Sequence, residues 1–166
     1  FEVSLDGATV DVEKGIIKNV SVITDGVEAR GHNLFVDKTT CEQICEWGQK
    51  RGKIPCKTNH KTGADAINGH LRNFRLDDSG GVLKVKADWY LLKSFKDYDH
   101  IVEMAQEMPE CFGLSAAFMG AGETSDGKRV FDDEKIGQYT LGPNNTKVAL
   151  AKGIKVMARC SELMAV

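Results

Sequence analysis

Two alternating runs, Gly69–Leu76 and Val82–Leu91, flank the short polar stretch Asp77-Asp78-Ser79-Gly80-Gly81. Apolar residues at every second position mark strands with one buried face, and Asp, Ser and Gly between them supply turn chemistry. The pair predicts a long antiparallel hairpin, with Val85, Ala87, Trp89 and Leu91 inward on one strand and Leu71, Phe74 and Leu76 inward on the other. This constrains the fold class, because antiparallel strands are joined by a short turn whereas parallel strands need a crossover of about a dozen residues or more.

The remaining pattern extends a sheet of this kind. Phe1–Leu5 and Ala8–Val12 alternate around a turn at Asp6-Gly7, and Gly15–Thr24 is rich in Ile and Val up to Asp25-Gly26. Asp37 or a following Thr can cap a helix, Glu42 lies in its first turn, and Gly52 marks its end. Cys41, Ile44, Cys45 and Gly48 form the inward stripe of that helix. Lys53–Asn59 reads as a short strand and Lys61–Asn68 as a loop. A second helix is expected over Lys93–Met108, with Ser94 and Asp97 at capping-box spacing. Its inward stripe is Tyr98, Ile101, Val102, Ala105 and Met108, and Pro109 stops it. Phe112–Gly122 is almost wholly small and apolar and reads as one buried central strand. Glu123–Gly153 is polar and irregular, Lys147–Ala151 is a short strand or helix, and Ile154–Val166 is a last strand. The expected architecture is α+β: a mostly antiparallel sheet with two main helices, in one domain over residues 1–166. Helices that interrupt the sheet, rather than alternating with single strands, disfavour a doubly wound fold, and the common phosphate-binding glycine motifs are absent.

Composition narrows the function. Twenty-two Lys and Arg against 24 Asp and Glu give a net charge of -2, which argues against a partner held mainly through phosphates, so no nucleic acid is expected. No apolar stretch reaches the roughly 18 residues of a membrane helix, and no membrane association is expected. The residues given open on Phe1 without a basic-then-apolar leader, so the five cysteines are expected to be reduced core residues rather than a disulfide framework. Cys41, Cys45, Cys56 and His60 are four potential zinc ligands within twenty residues, which opens a zinc-binding module as one alternative. The helical stripe already accounts for Cys41 and Cys45, and tight CxxC pairs are lacking, so neither a metal nor another cofactor is expected.

Two polar residues stand where polarity needs a reason. Ser115 interrupts an apolar run; its hydroxyl either bonds a neighbouring carbonyl or serves as a nucleophile on a rigid strand. Gly113, Ala116 and Ala117 beside it leave room for a substrate backbone. His60 ends a strand before a polar loop; it is either a surface residue or the base that takes a proton from a serine and returns it to a leaving amine. His32, His70 and His100 lie in a loop, an outward strand phase and a polar helix face, and are weaker candidates. A third group must orient the imidazole. Glu162, within the last strand, is the expected carboxylate; Asp132, Asp133 and Glu134 read as a solvated charge run. The nucleophile-elbow pattern G-x-S-x-G is missing around Ser115.

The order of His60, a long hairpin, a helix and Gly113-Leu114-Ser115-Ala116-Ala117-Phe118 resembles the prohead (capsid maturation) proteases of tailed bacteriophages, relatives of herpesvirus assemblin. The matching pieces are 57–60, 67–74, 108–115 and 158–163, within a span of about residues 30 to 166. The resemblance implies a β-barrel-like sheet wrapped by helices. It implies a serine endopeptidase acting inside the procapsid in the bacterial host cytoplasm, where it cuts scaffold protein or the scaffolding segment of the major capsid protein and often itself. Scaffold and major capsid protein would be its partners, and a homo-oligomer is compatible with the family. Carried over, Ser115 is the nucleophile, His60 the base and Glu162 the third member. For the chemistry this requires, backbone N–H groups of a turn at Gly120-Ala121-Gly122 are expected to hold the oxyanion, with Arg159 supporting it through water. An inactive assembly module of the same fold is the remaining alternative.

Overall fold

The computed structural model describes residues 2–4, 7–29, 34–130 and 138–166. In chain order these form β1 (Glu2–Ser4), β2 (Thr9–Asp11), β3 (Ile16–Thr24), β4 (Glu28–Ala29), β5 (Leu34–Phe35), α1 (Lys38–Arg51) and β6 (Ile54–Lys57). Then come β7 (Ile67–Asp77), β8 (Lys84–Leu91), α2 (Tyr98–Glu107), β9 (Gly113–Ser115), β10 (Ala117–Thr124), β11 (Arg129–Val130), β12 (Tyr139–Leu141), β13 (Lys147–Ala149) and β14 (Val156–Ala165). The architecture is α+β, with two helices among the described residues and mostly antiparallel strands, one sheet being curled into a half-barrel. No helix among these residues is long and apolar enough to cross a membrane.

The hairpin β7–β8 is the centre of a five-stranded sheet ordered β2-β3-β8-β7-β6. Val85, Ala87, Trp89 and Leu91 are all buried, as alternation requires. Leu71 and Phe74 are buried too, but Leu76 is 45% exposed. The β7–β8 register shifts between Arg72 and Arg75, where Asn73 takes a positive φ of 61°, and this puts Phe74, three residues on, on the buried face with Leu71, whereas Leu76, in phase with Phe74, is exposed near the end of β7. A bulge inserts one extra residue and turns the following side chains to the other face.

A second sheet runs β13-β12-β11-β10-β14-β5-β4, and a two-stranded piece joins β1 to β9. The first two strands therefore do not pair with each other: β1 meets β9, and β2 meets β3. The two larger sheets meet where β14 ends. The Val166 N–H donates to the Pro55 carbonyl at 2.9 Å, and the Lys57 N–H donates to the Val166 carbonyl at 2.7 Å. Helix α1 lies between the sheets, burying Cys41, Ile44, Cys45 and Gly48 as its stripe predicts. Asp37 is its N-cap, accepting from the Thr40 N–H at 2.9 Å, and Gly52 closes it with φ 77°.

Two expectations need correction. Helix α2 begins at Tyr98, not Lys93, because residues 92–97 are taken up by successive turns (Phe95 N–H to Leu92 C=O, Tyr98 N–H to Phe95 C=O). Asp97 becomes the N-cap, without a side-chain cap bond and without the capping box. The stretch 112–122 is not one strand. It breaks at Ala116, passing from the β1 pairing to the β14 pairing. Apolar composition marks burial but does not say which neighbour a strand pairs with.

Candidate active site

Ser115 is the last residue of β9, half-buried, immediately before the chain crosses to β10 at Ala116. A residue at such a junction is held by strand pairing on one side while its side chain stands at the edge of the packed layer.

His60 is presented differently. Strand β6 ends at Lys57 and the chain makes a single 3-10 turn, Thr58–His60, closed by the Lys61 N–H on the Thr58 carbonyl at 3.2 Å. Asn59 and His60 both have φ of 54°. Two consecutive non-glycine residues in the left-handed region store on the order of 1 kcal/mol or more each, a strain that persists only where surroundings fix it. Asn68 does the fixing. It is 3% exposed; its Nδ2 donates to Thr58 Oγ1 at 3.2 Å, its Oδ1 accepts from Trp89 Nε1 at 3.1 Å, and its carbonyl accepts from the Leu92 N–H at 2.8 Å. One buried amide thus ties the turn that carries His60 to the central hairpin.

Both residues line one cavity of about 400 Å³. Its floor is buried: Cys56, Asn68, Trp89, Leu114 and Val166. Phe95, Ile101, Met104, Phe112 and Ser115 are half-buried around it, and Asn59, His60, Asp97 and His100 stand exposed at the rim. Helix α2 supplies Ile101, Met104 and His100 from one face, with Asp97 at its start. A hydroxyl and an imidazole on one such cavity, with a second imidazole and a carboxylate on its rim, provide the groups for proton transfer and nucleophilic attack. No family model, curated protein or solved structure matches the chain.

Other candidates lie elsewhere. Glu162 is exposed on β14, in register with Met119, and is not among the residues lining the cavity. Gly120 and Gly122 sit within β10, opposite Cys160 and Ala158, rather than in a turn beside Ser115. A Cβ at Gly120 would run into the Arg159 carbonyl, and one at Gly122 into Val156 Cγ1, so close strand packing explains both glycines. Arg159 binds Asp37 through two nitrogens, at 2.9 and 3.1 Å, and Glu123 at 3.1 Å. Its guanidinium is a tie between α1, β10 and β14 and does not line the cavity.

The proposed zinc ligands are not gathered. Cys41 and Cys45 point into the core from α1, and Cys56 is buried on β6. Burial pushes the Cys41 and Cys56 thiols up to about 12 and raises Cys45 as well. Among the described residues no three His, Cys, Asp or Glu side chains stand together as a metal site. Asp132, Asp133 and Glu134 lie outside the described residues.

The sequence reads His100 as a weaker candidate and Asp97 as half of a capping box. His100 falls on the polar side of α2, which alone looks like solvent exposure. Only the cavity shows that Asp97 and His100 line the same concavity as Ser115 and His60.

Proposed function

We propose that this chain is a serine endopeptidase of the capsid-maturation kind, with Ser115 as nucleophile and His60 as general base. The observation that carries the reading is that these two residues, singled out on chemical grounds and far apart in sequence, line the same cavity. The left-handed backbone at His60, locked through Asn68, supports it, since such strain concentrates where a side chain must be aimed. The resemblance of the motif order to that of the prohead proteases supplies the proposed substrate class: scaffold protein or the scaffolding segment of a capsid protein.

In this reading His60 takes the Ser115 proton as the oxygen attacks a peptide carbonyl, and the tetrahedral oxyanion forms. His60 then returns the proton to the leaving amine, the C–N bond breaks, and an acyl-enzyme remains. Water, deprotonated by His60, attacks the ester and releases the acid, restoring the hydroxyl. A third group is needed to hold the imidazole. His100 and Asp97 are better seated for that role than Glu162, because they share the cavity.

The test is a fluorophosphonate probe on the purified full chain, together with co-expressed scaffold and capsid protein. Labelling at Ser115, lost in Ser115→Ala together with scaffold cleavage while the thermal melt is unchanged, is the expected result. Full cleavage by Ser115→Ala would remove the assignment. A folded chain with neither labelling nor cleavage would favour the inactive assembly module.

A further inference from the structure

The cavity is graded from apolar to polar. Trp89 and Leu114 at the bottom are each 4% exposed, and the indole N–H of Trp89 is already used by Asn68, so the ring offers carbon. Phe95, Ile101, Met104 and Phe112 are only half-covered. The polar groups, His60, Asp97 and His100, are at the exposed rim. Four large apolar side chains left half-wet around one concavity are a cost that a bound apolar group removes, and concave apolar sites with a few convergent polar groups are what ligands occupy.

We infer that the peptide recognised here places a large aliphatic or aromatic side chain, from a residue beside the scissile bond, against the buried Trp89 and Leu114 and the half-buried Met104 and Ile101. Its main chain then runs along the rim where Ser115 and His60 stand. The inference rests on the endopeptidase reading for the position of the cut, but not for the existence of the pocket. An acidic side chain is disfavoured, because a carboxylate against Trp89, Leu114, Met104 and Ile101 would lose its water, and of the lining residues only Lys57 carries a fixed positive charge. Lys57 lines the cavity from β6, whereas the half-buried apolar residues are Ile101 and Met104 on α2 with Phe95 and Phe112 on the segments before α2 and β9.

Binding to the Ser115→Ala full chain reads the pocket without the chemistry. Two fluorescent decapeptides identical except for one Leu or Asp are titrated against it. The Leu peptide is expected to bind at least about tenfold tighter, in the range that a hydrophobic pocket discriminates. Met104→Glu, whose fold is checked by its thermal melt, should abolish that preference; Ile101→Ala should weaken it where Met104→Glu proves unstable. Equal binding of the two peptides, or a preference that survives in both variants, overturns the inference. Fluorophosphonate labelling of Ser115 in the native chain is followed in parallel. Failure to label would bring down the endopeptidase reading while the binding comparison still decides the pocket.

Discussion

Asn68 couples a buried aromatic ring to an exposed histidine, and its removal should separate stability from function. Asn68→Ala leaves Trp89 Nε1 buried without its acceptor and frees Thr58. An unsatisfied buried donor costs about 1–3 kcal/mol, so the urea midpoint should fall accordingly. In native buffer the rate of fluorophosphonate labelling at Ser115 should fall further, by about tenfold or more, as the Thr58–His60 turn loses its anchor. A labelling rate unchanged in Asn68→Ala would mean that the turn holds itself. Ser115 and His60 were legible in the sequence because a hydroxyl in an apolar run and an imidazole at a strand end are local anomalies. Asp97 and His100 were not, since nothing local marks a polar residue on a helix face as facing a cavity.

At the level of elements, one carboxylate pins two irregularities of the central sheet. Asp88 on β8 accepts from the Asn19 N–H at 3.0 Å and from Asn73 Nδ2 at 3.0 Å, and Arg75 lies 3.4 Å away while also donating to Asn19 Oδ1. Asn19 and Asn73 both have positive φ, at the register shifts on either side of β8. Burial tends to raise the Asp88 carboxyl, but the Asn19 N–H, Asn73 and Arg75 outweigh it and hold the group below its ordinary 3.8. The stability it contributes is therefore complete above pH 3.8 and is lost as pH falls through the lower native value. Asp88→Ala should cost about 2 kcal/mol near neutral pH, with the difference from the native chain shrinking below that range; a pH-independent difference in urea midpoint would contradict the charge-based account. The same irregularity limits what alternation reveals. The hairpin and α1 were legible because each is periodic over its length and bounded by Asp, Gly and Ser signals. The bulge at Asn73 that puts Leu71 and Phe74 on one face is not written in the hydrophobic pattern, Leu76 is exposed near the end of β7 in spite of its phase, and the break at Ala116 is set by which strands are neighbours, a long-range fact.

For the molecule as a whole, Arg159 is the joint between layers. It stands 20% exposed on β14, reaching Asp37 at the start of α1 and Glu123 on β10. Burial works to raise the Asp37 carboxyl, but the Thr40 N–H and Arg159 together hold it below 3.8. Arg159→Ala removes a donor from two carboxylates and from the Ala158 carbonyl, while Asp37 continues to cap α1 by accepting from the Thr40 N–H. The expected cost is about 2 kcal/mol, or a melting temperature lower by about 4–8 °C for a chain of this size. The deficit should narrow as pH falls from 3.8 through the lower native value of Asp37, where the protonated carboxyl loses what the pair contributed. Because Arg159 does not line the cavity, Ser115 labelling per folded molecule should stay within about twofold of the native chain once temperature is held well below the melt. A large loss of labelling without a shift in the melt would reverse this, returning Arg159 to the oxyanion role that its sequence position suggested and requiring a cavity that extends to β10. The two measurements together separate an architectural arginine from a chemical one, which its charge and its place in a conspicuous strand could not.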